Sequence, residues 1–343
     1  PVVQITVPSE LSQQLASRHG RFHTLGIPED TKALSHGALT EEQFLTQAKS
    51  VLSERVKQFN QALADFRSGC LFFYFGETDL VQHMFWRDRD PEHQNIKKEE
   101  AQQFRKAVED VYLGADRVLG QVLTALDPND TLMVLSDHGF TSFRRGFNLN
   151  TWLLENGYIR LTDLSRQGDY EMFHNVDWQN SKAYGLGMNG IYVNAAGREK
   201  QGIISENQSK QLLGEIAEKL IEVRDNDGSH VISSVHQVED FYPDADRNVA
   251  PDLIVGYNDS YRASWETVLG KMPAELIVDN TDRWSGTHLI SADLVPGVFL
   301  SNRKVQKTQP SICDIAPTIL AEFGIKKPQS MDGGSLFSEA TNV

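Results

Sequence analysis

The stretch Leu132-Met133-Val134-Leu135-Ser136-Asp137-His138-Gly139-Phe140 constrains this chain more than any other. Four apolar residues end abruptly in a carboxylate, an imidazole and a glycine. Such a run reads as a buried strand of a parallel sheet. The polar triplet then falls where the strand stops, at the edge of an open α/β sheet where ligands usually bind. Adjacent Asp and His side chains on a tight Gly turn can both face one ion. The triplet alone reads equally well as a strand end with a capping Asp and a solvated His. What separates the two readings is that the pattern occurs twice.

The second copy lies upstream. Cys70-Leu71-Phe72-Phe73-Tyr74-Phe75 is a short apolar run that breaks into Gly76-Glu77-Thr78-Asp79, followed by His83. If the chain turns helical there, Asp79 and His83 are four apart and share one face. An Asp/His pair so placed can take two positions on one metal. Between the copies, Phe104, Val108, Val111, Ala115, Val118, Val122 and Leu126 recur at helical steps and predict a helix over 99–126. Asp127-Pro128-Asn129-Asp130 ends it as a turn. Strand, helix and strand make a βαβ unit with parallel strands and a right-handed crossover, which brings both pairs to one sheet edge.

With 343 residues the chain suits one or two domains. Its net charge of −14 argues against binding a nucleic-acid backbone, whose affinity comes largely from Lys and Arg on phosphates. An acidic protein that handles anionic phosphate needs local positive charge, which bound metal ions can supply. The two cysteines, Cys70 and Cys313, sit in apolar company and are expected to pack rather than pair; they form no disulfide framework or Cys-x-x-Cys site. No apolar run approaches the roughly 18 residues of a membrane span.

Thr40 with Gln43 resembles a capping box, opening a helix of about 28 residues that Gly69 stops. After Phe140 come brief strand candidates at Gly190–Val193, His230–Val235 and Asp252–Tyr257, with a helix at 205–223. This texture suggests an α+β cap inserted at 141–282 into an α/β core made of 1–140 and 283–343. The chain rejoins the core near Leu294–Leu300, just after the loop Trp284-Ser285-Gly286-Thr287-His288, and closes with a helix at 310–323.

Taken in order, Asp79-x-x-x-His83, Asp137-His138-Gly139 and Gly286-Thr287-His288 resemble the alkaline phosphatase superfamily, in particular its two-metal, nucleotide pyrophosphatase/phosphodiesterase-like members. Phe75 to Trp86, Leu135 to Asn150, Ala183 to Glu199, and Asp314 to Leu320 with Asp332-Gly333 fit that pattern. The resemblance implies an α/β fold with a mostly parallel sheet sandwiched by helices. It implies that Asp79, His83 and His288 hold one divalent metal, and that Asp137 and His138 hold part of a second. Three N/O ligands plus an open position suit a catalytic zinc, and mixed Asp/His sites also suit manganese. Two such ions about 4 Å apart can clamp the attacking and leaving oxygens of displacement at phosphorus and neutralise charge on the equatorial oxygens.

One departure matters. Family members resemble one another in an N-terminal strand ending in a further metal-binding Asp, followed by a Thr or Ser nucleophile. Ahead of Asp79 this chain has no such segment; Val2-Val3-Gln4-Ile5-Thr6-Val7 delivers no acid. The expectation is a C-terminal portion lacking the first sheet strands and the nucleophile, which binds one metal well, the other poorly, and turns over little.

The resemblance thus implies a metal-dependent hydrolase of small-molecule phosphoric esters, in first place a phosphodiesterase. A phosphoglycerate-mutase-like or monoesterase activity of the same superfamily, and a non-catalytic metal-binding module, remain open. A sulfatase is disfavoured because neither cysteine stands in a Cys-x-Pro-x-Arg context. A two-His-one-carboxylate oxygenase is rejected because such sites use a close His-x-Asp pair. Arg144, Arg145 and Asn148 follow the Asp-His-Gly turn closely enough to reach a bound phosphate, and the arginine pair reads as well as a solvated one. Phe85 and Trp86 are expected to pack behind the ligand helix.

Overall fold

A computed structural model describes residues 4–24, 26–94 and 103–337. By internal contacts the chain divides into two units, residues 1–122 with 140–294 and residues 123–139 with 295–343.

In the first unit the leading elements are helical: α1 Glu10–His19, α2 Thr31–Ser35, α3 Glu41–Asp65, α4 Glu77–Phe85 and the start of α5, Ala107–Ala125. The expected capping box forms. The Thr40 side chain accepts from the Gln43 backbone N–H, and the Gln43 side chain accepts from the Thr40 N–H. Leu34, Phe44, Ala48, Val81, Met84, Phe85, Ala107 and Val108 merge into one core, so α2, α3, α4 and α5 bury their apolar faces against one another. Every residue of α4 from Leu80 to Phe85 is buried. The helix buries polar residues together with apolar ones, His83 among them. Phe85 packs in the core as expected.

Two sheets complete this unit. Strand β2, Thr141–Phe147, pairs in parallel with β7, Ser260–Ala263, and antiparallel with β8, Ile277–Asp279; its first residues also pair antiparallel with β9, Gly286–Thr287. Strands β3 Ala183–Leu186, β4 Gly190–Val193, β6 Leu253–Tyr257 and β5 Ile232–Gln237 form an antiparallel sheet in that order. Helix Glu206–Ile221 packs against β5 and buries Leu212, Leu213, Ile216 and Leu220. The short strands and single long helix expected between 183 and 257 are therefore present, within about two residues of their expected ends.

In the second unit β1, Met133–Leu135, pairs antiparallel with β10, Phe299–Ser301, in the register Val134↔Leu300. Helix Ile315–Glu322 follows a 3₁₀ turn whose Asp314 is wholly buried. Its carboxylate accepts from Lys307 Nζ and from the backbone N–H groups of Ser311 and Gly334.

Three expectations need correction. The run Cys70–Phe75 is not a regular strand; among the described residues no strand pairs with it, and Phe72 is 75% exposed. A strand exists only through its ladder partners, and an apolar run without them stays irregular. With no strand seated there, Met133–Leu135 pairs with the returning chain, which runs the opposite way. Among the described strands only β2 and β7 pair in parallel, so the βαβ unit and the mostly parallel sheet do not form from these residues. Both cysteines are exposed free thiols rather than packed. The first part of the helix expected at 99–126 falls partly on 99–102, outside the described residues.

Candidate metal centre

Helix α4 follows Gly76 as its N-cap and puts Asp79 in its first turn and His83 one turn later, on the shared face that the i,i+4 spacing requires. His83 is 4% exposed. Its Nδ1 lies 2.8 Å from the Gly286 carbonyl. A carbonyl only accepts, so Nδ1 carries the proton and Nε2 presents its lone pair. That nitrogen is 3.5 Å from Asp79 Oδ1, an oxygen shielded from solvent.

His288 reaches the same carboxylate from the far end of the sequence. It follows β9, which is held by the register Thr141↔Thr287 and Ser142↔Gly286. The loop before it is laced onto the end of α4: the Ser285 N–H donates to the His83 carbonyl at 2.7 Å, and Ser285 Oγ accepts from the Arg87 N–H at 3.1 Å. Glycine is required at 286, because a Cβ there would stand 2.4 Å from the Gln82 carbonyl oxygen. His288 Nε2 comes to 3.8 Å from Asp79 Oδ1, and the two imidazole centroids are 5.2 Å apart. Phe140 meets both rings, edge-on at 4.8 Å to His83 and at 5.3 Å to His288.

Separations of 3.5 and 3.8 Å exceed hydrogen-bond length. They match two donors sharing an ion: ligand atoms about 2.1 Å from a tetrahedral zinc stand about 3.4 Å from one another. The donor set (two imidazole nitrogens and a carboxylate oxygen) is that of a divalent transition metal. A metal-binding histidine characteristically donates its other N–H to a carbonyl, the contact that His83 makes with Gly286. Each imidazole thus stands at a ligand-to-ligand distance from the Asp79 oxygen.

Asp137 and His138 lie on the second unit. His138 Nδ1 is 3.0 Å from the Gly139 carbonyl, which assigns the proton as in His83 and leaves Nε2 as the basic nitrogen, 3.6 Å from Asp137 Oδ1. The Asp137 side chain is 74% exposed. Gly139 turns tightly: its N–H donates to the Val295 carbonyl at 2.8 Å, and a Cβ would stand 2.6 Å from the Pro296 oxygen.

The residues expected near phosphate are engaged internally. Arg144 binds Asp90 through Nε and Nη2, both at 2.6 Å, and Glu92 through Nη1. Arg145 binds Asp225 through two nitrogens at 2.9 Å and Asp279 through the third. Asn148 is 1% exposed, donating to the Glu275 carbonyl and accepting from Ser264 Oγ. Contact with substrate by either arginine would require exchanging a carboxylate for a phosphate. Burial raises the Asp90 pKa, but hydrogen bonds from Arg144, Ser142 and the Glu92 N–H outweigh it and hold the carboxyl below the usual range. Glu77, two residues before Asp79, is buried beside Arg55 at 3.0 Å; burial pushes its carboxyl above the usual range.

Reading the sequence passes over Trp284, which lies face to face with His83 at 3.9 Å between centroids. The signal was present: Trp284 opens the same five-residue loop that ends in His288.

In this mixed α/β chain two imidazoles converge on one oxygen of Asp79, a donor set that divalent transition metals take. The sequence matches the type I phosphodiesterase / nucleotide pyrophosphatase family over residues 24–268. The chain belongs to this family, one of the alkaline phosphatase superfamily. The matched region contains Asp79, His83, Asp137 and His138 and ends before His288. No curated protein matches the chain significantly.

Proposed function

We propose that this chain carries the metal-binding part of a phosphodiester hydrolase. Asp79, His83 and His288 hold one divalent ion, zinc or manganese, and Asp137 and His138 contribute to a second. The observation that carries this reading is the placing of both imidazole Nε2 atoms within 4 Å of Asp79 Oδ1. When bound, such ions supply Lewis acidity and positive charge for the phosphoryl oxygens. The chain's own part is preorganisation. The Gly286 carbonyl fixes the tautomer of His83, Phe140 and Trp284 keep water from its ring, and Asp79 is presented from a buried helix. Residues 141–282 shape substrate choice.

We place the attacking oxygen and the remaining carboxylate of the second site outside these 343 residues, because no apolar strand ending in Asp-Gly and leading into a Ser/Thr-bearing turn precedes Asp79. The exposed Phe72 in an apolar run supports a further strand of the same protein beside it. The test is calorimetric titration of the chain with bis(p-nitrophenyl) phosphate, with and without Zn²⁺. Binding that requires Zn²⁺, is lost in Asp79→Ala and proceeds with little hydrolysis is the expected result. Binding indifferent to Zn²⁺ contradicts the site, and rapid hydrolysis contradicts the missing nucleophile. A metal-dependent preference for p-nitrophenyl phosphate would favour the monoesterase reading instead.

A further inference from the structure

The imidazole of His83 is held by more than one hydrogen bond. Trp284 stacks on it at 3.9 Å with the planes 29° apart. Trp284 in turn meets the ring of Trp265 nearly at right angles, 6.1 Å between centroids. The guanidinium of Arg262 lies over Trp265 at 4.0 Å and over Phe143 at 4.9 Å. Arg262 is 1% exposed, and its Nε and Nη1 are buried without a hydrogen-bond partner. Burial pushes its pKa down to about 10. The aromatic faces beneath the guanidinium add cation–π attraction to the favourable charge of Asp282. The outcome is an unbroken run of contacts from Arg262 through Trp265 and Trp284 to His83, stacked at both ends and edge-to-face in the middle.

We propose that Trp284 is a positioning residue for His83, and that the stack of Trp265 and Arg262 behind it fixes the imidazole plane so that Nε2 faces Asp79. The Gly286 carbonyl holds one edge of the ring but leaves it a tilt about that hydrogen bond. The indole face removes that tilt. A donor already aimed loses less freedom on binding an ion, and the loss of a hydrogen-bond partner that orients a metal-binding histidine, the effect most comparable to losing the indole, typically costs about 10- to 100-fold in metal affinity. The inference rests on the reading of His83 as a metal ligand.

Co²⁺ alone is the probe, titrated into the full chain and followed by its visible absorption and by tryptophan emission. Trp284→Leu keeps apolar volume and loses the stack; Trp284→Phe keeps a ring; His83→Asn removes the ligand. Thermal melts confirm that each variant folds. Co²⁺ affinity is expected to fall at least 10-fold in Trp284→Leu and to stay within about 3-fold of wild type in Trp284→Phe. Co²⁺ is also expected to quench wild-type emission more than that of Trp284→Phe, because the indole touches a ligand ring. Should the Leu variant not fold, this quenching difference decides. Unchanged affinity in Trp284→Leu, or equal quenching in wild type and Trp284→Phe, overturns the proposal while a weakened His83→Asn leaves the metal site standing. Affinity unchanged in His83→Asn overturns both.

Discussion

At the scale of single residues, buried charge sets the pH behaviour. Asp90 and His93 are both buried near β2, Asp90 holding Arg144 and His93 donating from Nε2 to the Phe143 carbonyl at 2.9 Å. Because the Asp90 pKa is lowered in the fold, its contribution is complete above the unfolded value of about 4 and is lost as pH falls through the lower folded value. Burial likewise lowers the His93 pKa, so protons bind the unfolded chain first, and stability falls as pH drops below about 6.5. Two outcomes follow. Asp90→Asn should cost about 3 kcal/mol in urea unfolding at pH 7, because it leaves Arg144 partly unpaired. His93→Gln should flatten the stability curve just below about pH 6.5 by up to one proton, about 1.4 kcal/mol per pH unit.

At the scale of elements, the contact of α4 with β9 builds the centre. Gly286 sits where only hydrogen fits against the Gln82 carbonyl, and its own carbonyl orients His83. Gly286→Ala should therefore separate loop from helix, costing about 1–3 kcal/mol in stability and at least 10-fold in Zn²⁺ affinity by calorimetry; an unchanged affinity would mean that the contact does not position the ligand. Far from the centre, Thr40→Ala should remove the cap of α3 at a cost of about 1 kcal/mol with no effect on Zn²⁺ affinity.

The elements also show what sequence can and cannot convey. The pair Asp79 and His83 was legible because four-residue spacing on a helix is a local rule. The capping box at Thr40 was legible for the same reason, and the helix at Glu206–Ile221 because its apolar period is strong. Pairing of Met133–Leu135 with Phe299–Ser301 was not, since a three-residue strand takes whichever neighbour the rest of the chain supplies. The irregular course of Cys70–Phe75 follows the same logic: its composition suits a strand, and its partners decide whether one forms. The stack on His83 depends on two segments about 200 residues apart meeting at one helix end, which no local pattern encodes.

For the whole molecule, a net charge of −14 attracts divalent cations and repels free phosphate. A metal that binds only the folded chain must also stabilise it. Zn²⁺ at about 100 times its dissociation constant should add about 2.7 kcal/mol to unfolding, seen as a raised Tm that a chelator reverses and that Asp79→Ala abolishes. A Tm indifferent to the ion would separate the centre from metal binding altogether.

The most direct test is elemental analysis after equilibrium dialysis against Zn²⁺, on the wild-type chain and on Asp79→Ala and His288→Ala. A centre built from residues 79, 83 and 288 predicts at least one retained ion per wild-type chain and the loss of that ion from each variant. Undiminished zinc in both variants would contradict it.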